Sequence, residues 1–235
     1  MKNIPVVILC GGKGSRLREE TEFKPKSMIG VGEKPIIWHI MKIYKEFGFN
    51  HFILALGYKG EMISDYFKHN NPDKFKIDAV DTGLDTLTGE RVLRLRKYIK
   101  TDQFMVTYGD GLGDVDINSL IKYHKNKKVI GTITGVHPTS KWGLINSDEN
   151  NLIISFREKP ILKEYVNGGF MIFDKKFFKY LRKGEMIEGG FVRLADKRQL
   201  AVFNHDKFWH AMDTYQDMEE FNKMWKKNPK WKIWK

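Results

Sequence analysis

Ile4-Pro5-Val6-Val7-Ile8-Leu9, running into Cys10-Gly11-Gly12-Lys13-Gly14-Ser15-Arg16-Leu17, is the stretch whose reading decides the fold. An apolar run rich in β-branched residues is the pattern of a strand buried on both faces of a parallel sheet. It breaks at a glycine cluster, where backbone N–H groups can turn towards an anion while Lys13 and Arg16 add positive charge. The pair predicts a strand over 4–9 followed by a phosphate cradle. It is not the dinucleotide fingerprint, because Leu17 stands where a third glycine is required, and it lacks the Gly-Lys-Ser/Thr of a P-loop. A glycine-rich surface turn has the same composition. Arg16, Lys24 and Lys26 favour the cradle, since three cations around one loop repel each other unless an anion joins them.

Outward from this point the rhythm repeats. Residues 35–44 carry apolar side chains at helical spacing and stop at Gly48. Residues 51–56 form a second strand ending at Gly57-Tyr58-Lys59-Gly60, residues 61–68 resume helical periodicity, and residues 104–107 form a third strand running into Tyr108-Gly109-Asp110-Gly111. The alternation predicts an α/β fold, a Rossmann-like doubly wound mixed sheet with helices on both faces, whose ligands sit beyond the carboxyl ends of the strands. Past residue 125 come strand-like pieces at 129–136, 143–145, 152–156, 167–173 and 200–203, read as a mixed extension of the same sheet. Helices are expected over 175–181 and 215–226, and a loose polar tail after Asn228.

The chain has 235 residues, a formal net charge of +12, 41% hydrophobic and 13% aromatic residues. That is enough apolar material for a core and excludes disorder. One domain over 1–235 fits the length, with no internal repeat or low-complexity linker. The single cysteine, Cys10, excludes an intramolecular disulfide and points to a reducing, cytoplasmic setting. The apolar run at the start is too short for a membrane span. Six of the lysines fall in the last fourteen residues among Trp225, Trp231 and Trp234, so half of the +12 sits there.

Gly-Gly-Lys-Gly-Ser-Arg-Leu at 11–17, then Lys24-Pro25-Lys26 and Lys34-Pro35, resembles the signature of the sugar-phosphate nucleotidyltransferases. Further shared stretches are Lys34-Pro35-Ile36-Ile37-Trp38-His39, Gly57-Tyr58-Lys59-Gly60, Asp81-Thr82-Gly83, Tyr108-Gly109-Asp110-Gly111, Glu158-Lys159-Pro160, Asn167-Gly168-Gly169 and Met212-Asp213-Thr214. The resemblance runs from Val6 nearly to the C-terminus and is strongest to the branch that transfers CMP from CTP to glucose 1-phosphate. It implies the nucleotide-diphospho-sugar transferase fold, with a nucleotide-binding part over 1–125, an acceptor-binding part over 126–227 and a basic tail over 228–235. It implies Arg16 and Lys26 as catalytic residues. Gly11, Gly12, Gly14, Ser15, Lys24, Thr82, Gly83, Gly89, Tyr108 and Gly109 would serve the nucleotide. Gly143, Glu158, Lys159, Asn167 and Gly168 would serve the acceptor. Asp110 and Asp213 would hold Mg2+, which prefers hard oxygen ligands. Taken alone, an aspartate at a strand-to-turn boundary reads as a turn or cap hydrogen bond.

The implied partners are CTP and a phosphorylated small molecule, a sugar 1-phosphate, with neither nucleic acid nor membrane, and a homo-oligomer is compatible with the resemblance. The acceptor's phosphate is anionic near neutral pH, its second pKa being about 6, so the chemistry needs charge relief rather than a general base. The histidines have no Cys or His partners at metal spacing and read as packing or surface residues. Two stretches depart from the family. Its long excursion before Asp81 is replaced by the short 68–76, and its Glu-Gln-Glu-Pro acceptor motif becomes Ile187-Glu188-Gly189-Gly190-Phe191, with one carboxylate.

Overall fold

The computed structural model describes residues 3–234; Lys235, the end of the expected tail, lies outside the described residues. Eight strands make one sheet. In chain order they are β1 Val6–Leu9, β2 His51–Leu56, β3 Lys76–Asp81, β4 Gln103–Tyr108, β5 Gly131–Val136, β6 Val166–Asn167, β7 Met171–Asp174 and β8 Leu200–His205. Across the sheet the order is β3-β2-β1-β4-β7-β5-β8, with β6 continuing the line of β7 along β5. All pairs are parallel except those made by β6 and β7.

Strand periodicity sorts the apolar side chains into two cores. Val6, Ile8, Phe52 and Leu54 belong to one, with residues of the helices Ile36–Glu46, Gly60–His69, Ile117–Lys127 and Tyr215–Lys227. Val7, Leu9, Ile53 and Ala55 belong to the other, with residues of the helices Thr88–Arg94 and Ile187–Asp196. Val6, Val7 and Ile8 are wholly buried, and each such side chain contributes roughly 1.5–3 kcal/mol of hydrophobic stabilisation. The doubly wound reading of residues 4–9 therefore holds.

Several elements differ from expectation. The strand β3 was not anticipated, because Lys76, Asp78 and Asp81 interrupt its apolar pattern; it is the sheet's edge, where charges discourage further pairing. The helix Ile117–Lys127 is announced by Asp116, whose side chain accepts the Ser119 N–H. The helix Ile187–Asp196 is hidden by Gly189 and Gly190, and glycine is a poor helix former. A Cβ at Gly190 would lie 2.8 Å from the Phe177 ring. The segment 175–181 is a 3-10 helix, Lys175–Tyr180. Leu144–Ser147 and Ile153–Arg157 leave the sheet and pair only with each other, as an exposed hairpin.

The tail is not loose. Trp231 is fully buried and Trp234 nearly so, both packed around the buried His39. Lys230 lies over the Phe208 ring and Lys232 over Trp225, so part of the tail's charge rests on aromatic faces. Trp231 and Trp234 are therefore withdrawn from any stacking surface for nucleic-acid bases.

His39 is held as the neutral ring. The Trp231 indole N–H donates to Nδ1 at 3.4 Å, so the proton sits on Nε2, which donates to the Val31 carbonyl at 2.9 Å. Burial pushes its pKa down to about 4. As pH falls, the unfolded chain takes up the proton near the ordinary pKa of about 6.5 while the folded chain refuses it until about pH 4. The stability that neutral His39 provides is thus complete above the upper value and lost progressively towards the lower, by about 3 kcal/mol. Urea titrations of the wild type and His39→Gln between pH 7 and pH 4 are expected to show this increment in the wild type alone.

Candidate functional site

β1, β2 and β4 end side by side, and chain order reverses between β1 and β4, the place where open α/β sheets hold ligands. The Gly109 N–H donates to the Leu9 carbonyl at 3.1 Å, joining the two strand ends. A cavity of about 460 Å³ opens above them. It is lined by Cys10, Gly11, Gly12, Gly14 and Arg16 of the cradle, by Thr86, Leu87 and Thr88, by Lys26 and Ser27, by Tyr108, Gly109 and Asp110, and by Met186 and Glu188.

At the charged part of this lining stands Lys26. Its ammonium donates to Asp110 Oδ2 at 2.6 Å and to Asp213 Oδ1 at 2.9 Å. Burial works to lower its pKa, but the two carboxylates outweigh it and the pKa is raised. Arg16 donates to the other Asp213 oxygen at 2.9 Å. Burial would raise Asp213; hydrogen bonding and charge from Lys26, then Arg16 and Lys141, bring it below the usual carboxylate range. Pairing of Gly111–Gly113 with Trp209–Ala211, and the Met212 N–H on the Asp110 carbonyl at 2.9 Å, bring the two aspartates together. Asp217 accepts the backbone N–H of Asp213 at 2.9 Å and of Thr214 at 2.7 Å, fixing the approach to the last helix.

Two carboxylates that already converge on one cation fit Mg2+, which takes one or two carboxylates and completes its shell with phosphate and water oxygens. Among the described residues no group of three or more His, Cys, Asp or Glu is arranged for a metal, so substrate would supply the remaining ligands.

A second organising group is Arg91. Its buried guanidinium donates to the carbonyls of Leu56, Gly83, Gly11 and Leu84 and to Thr82 Oγ1, at 2.7–3.1 Å. It ties the cradle to the loop after β3. A Cβ at Gly11 would lie 2.4 Å from its Nη1, so this glycine is required by the arginine as well as by any phosphate. The third group is a chain of hydrogen bonds. Asn167 Nδ2 donates to the Tyr108 hydroxyl at 3.0 Å, which donates to Glu188 Oε1 at 2.7 Å. Burial first, then the Glu188 charge, raise the Tyr108 pKa and keep the phenol protonated.

Of the residues singled out in the sequence, Gly11, Gly12, Gly14, Arg16, Lys26, Tyr108, Gly109 and Asp110 line the cavity, and Asp213 joins through Lys26 and Arg16. Others lie outside the lining. Ser15 is exposed, and Lys24 is paired with Glu20 at 2.9 Å. Arg16, Lys24 and Lys26 are thus each paired with a carboxylate, Arg16 and Lys26 sharing Asp213, which removes repulsion as an argument for an anion. Thr82 and Gly83 are engaged by Arg91, and Gly89 donates its N–H to the Glu185 carbonyl at 3.1 Å.

The acceptor set divides. Asn167 reaches Tyr108, and Gly168 offers its carbonyl to Trp209 Nε1 at 2.8 Å. A Cβ at Gly143 would lie 3.0 Å from Glu158 Oε2, while Glu158 and Lys159 are exposed at the end of the hairpin. Ser27 carried no sequence signal, yet it is one of the cavity's lining residues, and its hydroxyl is buried without a hydrogen-bond partner, a cost that a polar ligand reaching it would relieve. Burial pushes the Cys10 thiol up to about 12, so it is an inert filler.

Comparison with known proteins gives a consistent result. The nucleotidyl transferase family profile matches residues 5–228. A Bacillus subtilis (strain 168) protein named "Probable glucose-1-phosphate cytidylyltransferase" is 42% identical, over 97% of this chain and 99% of its own. The Salmonella typhi glucose-1-phosphate cytidylyltransferase is 35% identical, over 97% and 98%. The structure of HddC from Yersinia pseudotuberculosis complexed with GMP-PN superimposes with a TM-score of 0.73 over 94% of this chain and 98% of that one; at 24% identity it shows a shared fold.

Removing Arg91 takes away five hydrogen bonds that join the cradle to the loop after β3, although the Leu56 and Gly11 carbonyls keep the Thr82 and Tyr58 N–H groups. Arg91→Met is expected to lower stability by about 3 kcal/mol and to open the loop around Gly83 to proteolysis, measured by urea denaturation and limited digestion. A wild-type midpoint in a folded variant would show that the guanidinium holds nothing together.

Proposed function

The chain belongs to the nucleotidyl transferase family, and from that membership and the chemistry of its cavity we propose that it transfers CMP from CTP to a sugar 1-phosphate, glucose 1-phosphate first among candidates. The products are a CDP-sugar and pyrophosphate. The observation that carries the reading is the convergence of Lys26, Arg16, Asp110 and Asp213 beside a glycine-rich cradle. The cytidine and glucose assignments rest on the relatives named for that reaction.

The acceptor phosphate attacks the α-phosphorus, the bond to the β-phosphate breaks, and pyrophosphate leaves. No general base is needed, because the attacking oxygen is already anionic near neutral pH. The protein's task is positioning and charge stabilisation. The cradle's N–H groups and Arg16 face the triphosphate, and Lys26 opposes the charge that accumulates on the departing pyrophosphate. Asp110 and Asp213 would hold Mg2+, which supplies charge neutralisation at the phosphate oxygens. Ser27 donates its free hydroxyl to the same group of oxygens. Lys159 guides the acceptor phosphate from the hairpin, and Glu188, held by Tyr108, accepts hydrogen bonds from the ligand.

Pyrophosphate release is expected only when Mg2+, CTP and a sugar 1-phosphate are present together. Four nucleoside triphosphates assayed against a panel of phosphorylated acceptors check this; release with another pair would reassign the substrates, and none with any pair would end the reading. Lys26→Ala and Asp110→Asn are expected to lower kcat by about 100-fold or more, with cooperative melting retained. Wild-type turnover in either would remove that residue from the site.

A further inference from the structure

Trp231 lies where the elements carrying the charged cluster meet. Its ring stacks on Phe208 at 5.8 Å between centroids and meets Phe221 edge-on at 5.2 Å, and its N–H reaches His39. Each contact leads to one member of the cluster. Phe208 immediately precedes the strand Trp209–Ala211, which runs into Asp213 and pairs with the strand that follows Asp110. Phe221 belongs to the helix whose Asp217 holds the backbone of Asp213. His39 holds Val31, in the small hairpin Gly30–Val31 and Lys34–Pro35 just after the 3-10 turn Lys26–Met28.

The same hairpin is held again from the last helix. Asn222 donates to the Gly30 carbonyl at 3.1 Å and accepts the Gly32 N–H at 2.9 Å. Trp225 lies so close over Gly32 that a Cβ there would fall 2.1 Å from its Nε1.

We propose that the C-terminal segment is a positioning strap: Trp231, acting through His39, Phe208 and Phe221, sets the spacing of Lys26, Asp110 and Asp213 without touching substrate. The proposal rests on the nucleotidyl-transfer reading above for its effect on rate. The strap belongs to one core only. Val92, Leu95 and Ile187, which support the cavity's 86–88 and 186–188 segments, lie in the other. Loosening the strap therefore disturbs the phosphate end of the cavity and spares the nucleoside end. Displacing a catalytic group by about 1 Å can cost on the order of 100-fold in rate.

The test uses the full-length protein and its Trp231→Ala and Trp231→Phe variants, with three measurements: kcat for pyrophosphate release, CMP affinity by calorimetry without metal, and the acylation rate of Lys26 by acetic anhydride relative to exposed Lys128. With its side chain 14% exposed and hydrogen-bonded to both carboxylates, Lys26 is shielded from the reagent while the cluster keeps its spacing. For Trp231→Ala, a kcat at least about tenfold lower, Lys26 acylation at least about threefold faster and CMP affinity within about twofold of wild type are expected. Trp231→Phe, which keeps the stack and loses the N–H, is expected to shift both kcat and acylation by about two- to fivefold. If the alanine variant does not fold, the phenylalanine variant decides alone. Folded variants with wild-type kcat and acylation overturn the strap, as does a parallel loss of kcat and CMP affinity. A wild type without turnover would count against the nucleotidyl-transfer reading, and the acylation ratio would still decide the strap.

Discussion

One ammonium between two carboxylates sets the terms for the rest of the molecule. Lys26 meets Asp110 and Asp213 across 84 and 187 residues of sequence, and in a partly buried position each charge is tolerable only because the others are there. Stripping one partner from such a group leaves an uncompensated charge, a loss of about 3–5 kcal/mol when burial is complete. The arrangement therefore demands three accurate placements: a turn after the cradle, the end of β4, and the entry to the last helix. Much of the remaining structure can be understood as the means of making those placements agree.

The sheet makes the first of them. Parallel strands β1, β2 and β4 deliver their carboxyl ends to one rim, and side-chain alternation assigns the support of that rim to two separate cores. On one side are the helices that carry Trp38, His39 and Trp225, with Trp231 packed among them. On the other, Arg91 binds the cradle to the loop after β3, and the helix Ile187–Asp196 presents Glu188 to Tyr108. The cavity therefore has a charged end at Lys26, Arg16 and Asp110 and a more apolar end of Leu87 and Met186, with Arg91 tying the cradle to the second side. A substrate that is part triphosphate and part nucleoside has the same division.

Legibility in the sequence followed the range of the interaction. The strand at residues 4–9, the glycine cluster after it, the helix over Ile36–Glu46 and the terminal helix were readable, because burial on both faces, 3.6-residue periodicity and capping leave local patterns. Ser27 was invisible, since a serine's significance here is that nothing bonds to its hydroxyl. The edge strand β3 was missed because charges at a sheet edge mimic a loop, and the helix Ile187–Asp196 because two glycines disguise it. Lys24, counted with the phosphate-facing cations, has a partner that its motif did not announce, Glu20 one helical turn away.

By itself the sequence determined the doubly wound fold and the glycine cluster that ends its first strand, while Lys26, Asp110 and Asp213 entered as candidates through the family resemblance. The fold and the glycine cluster follow from composition and periodicity along a short span of chain. Only the tertiary structure decided which of the candidates meet. It made Arg91 the tie between cradle and loop, left Glu158 and Lys159 outside the cavity lining, and buried Trp231 and Trp234 of the Lys/Trp tail against His39 and Phe208. The reason is physical: strand and helix formation are governed by neighbours a few residues apart, whereas the pairing of a buried charge or the burial of an indole depends on partners that may be almost two hundred residues away and are brought within reach only when both cores close.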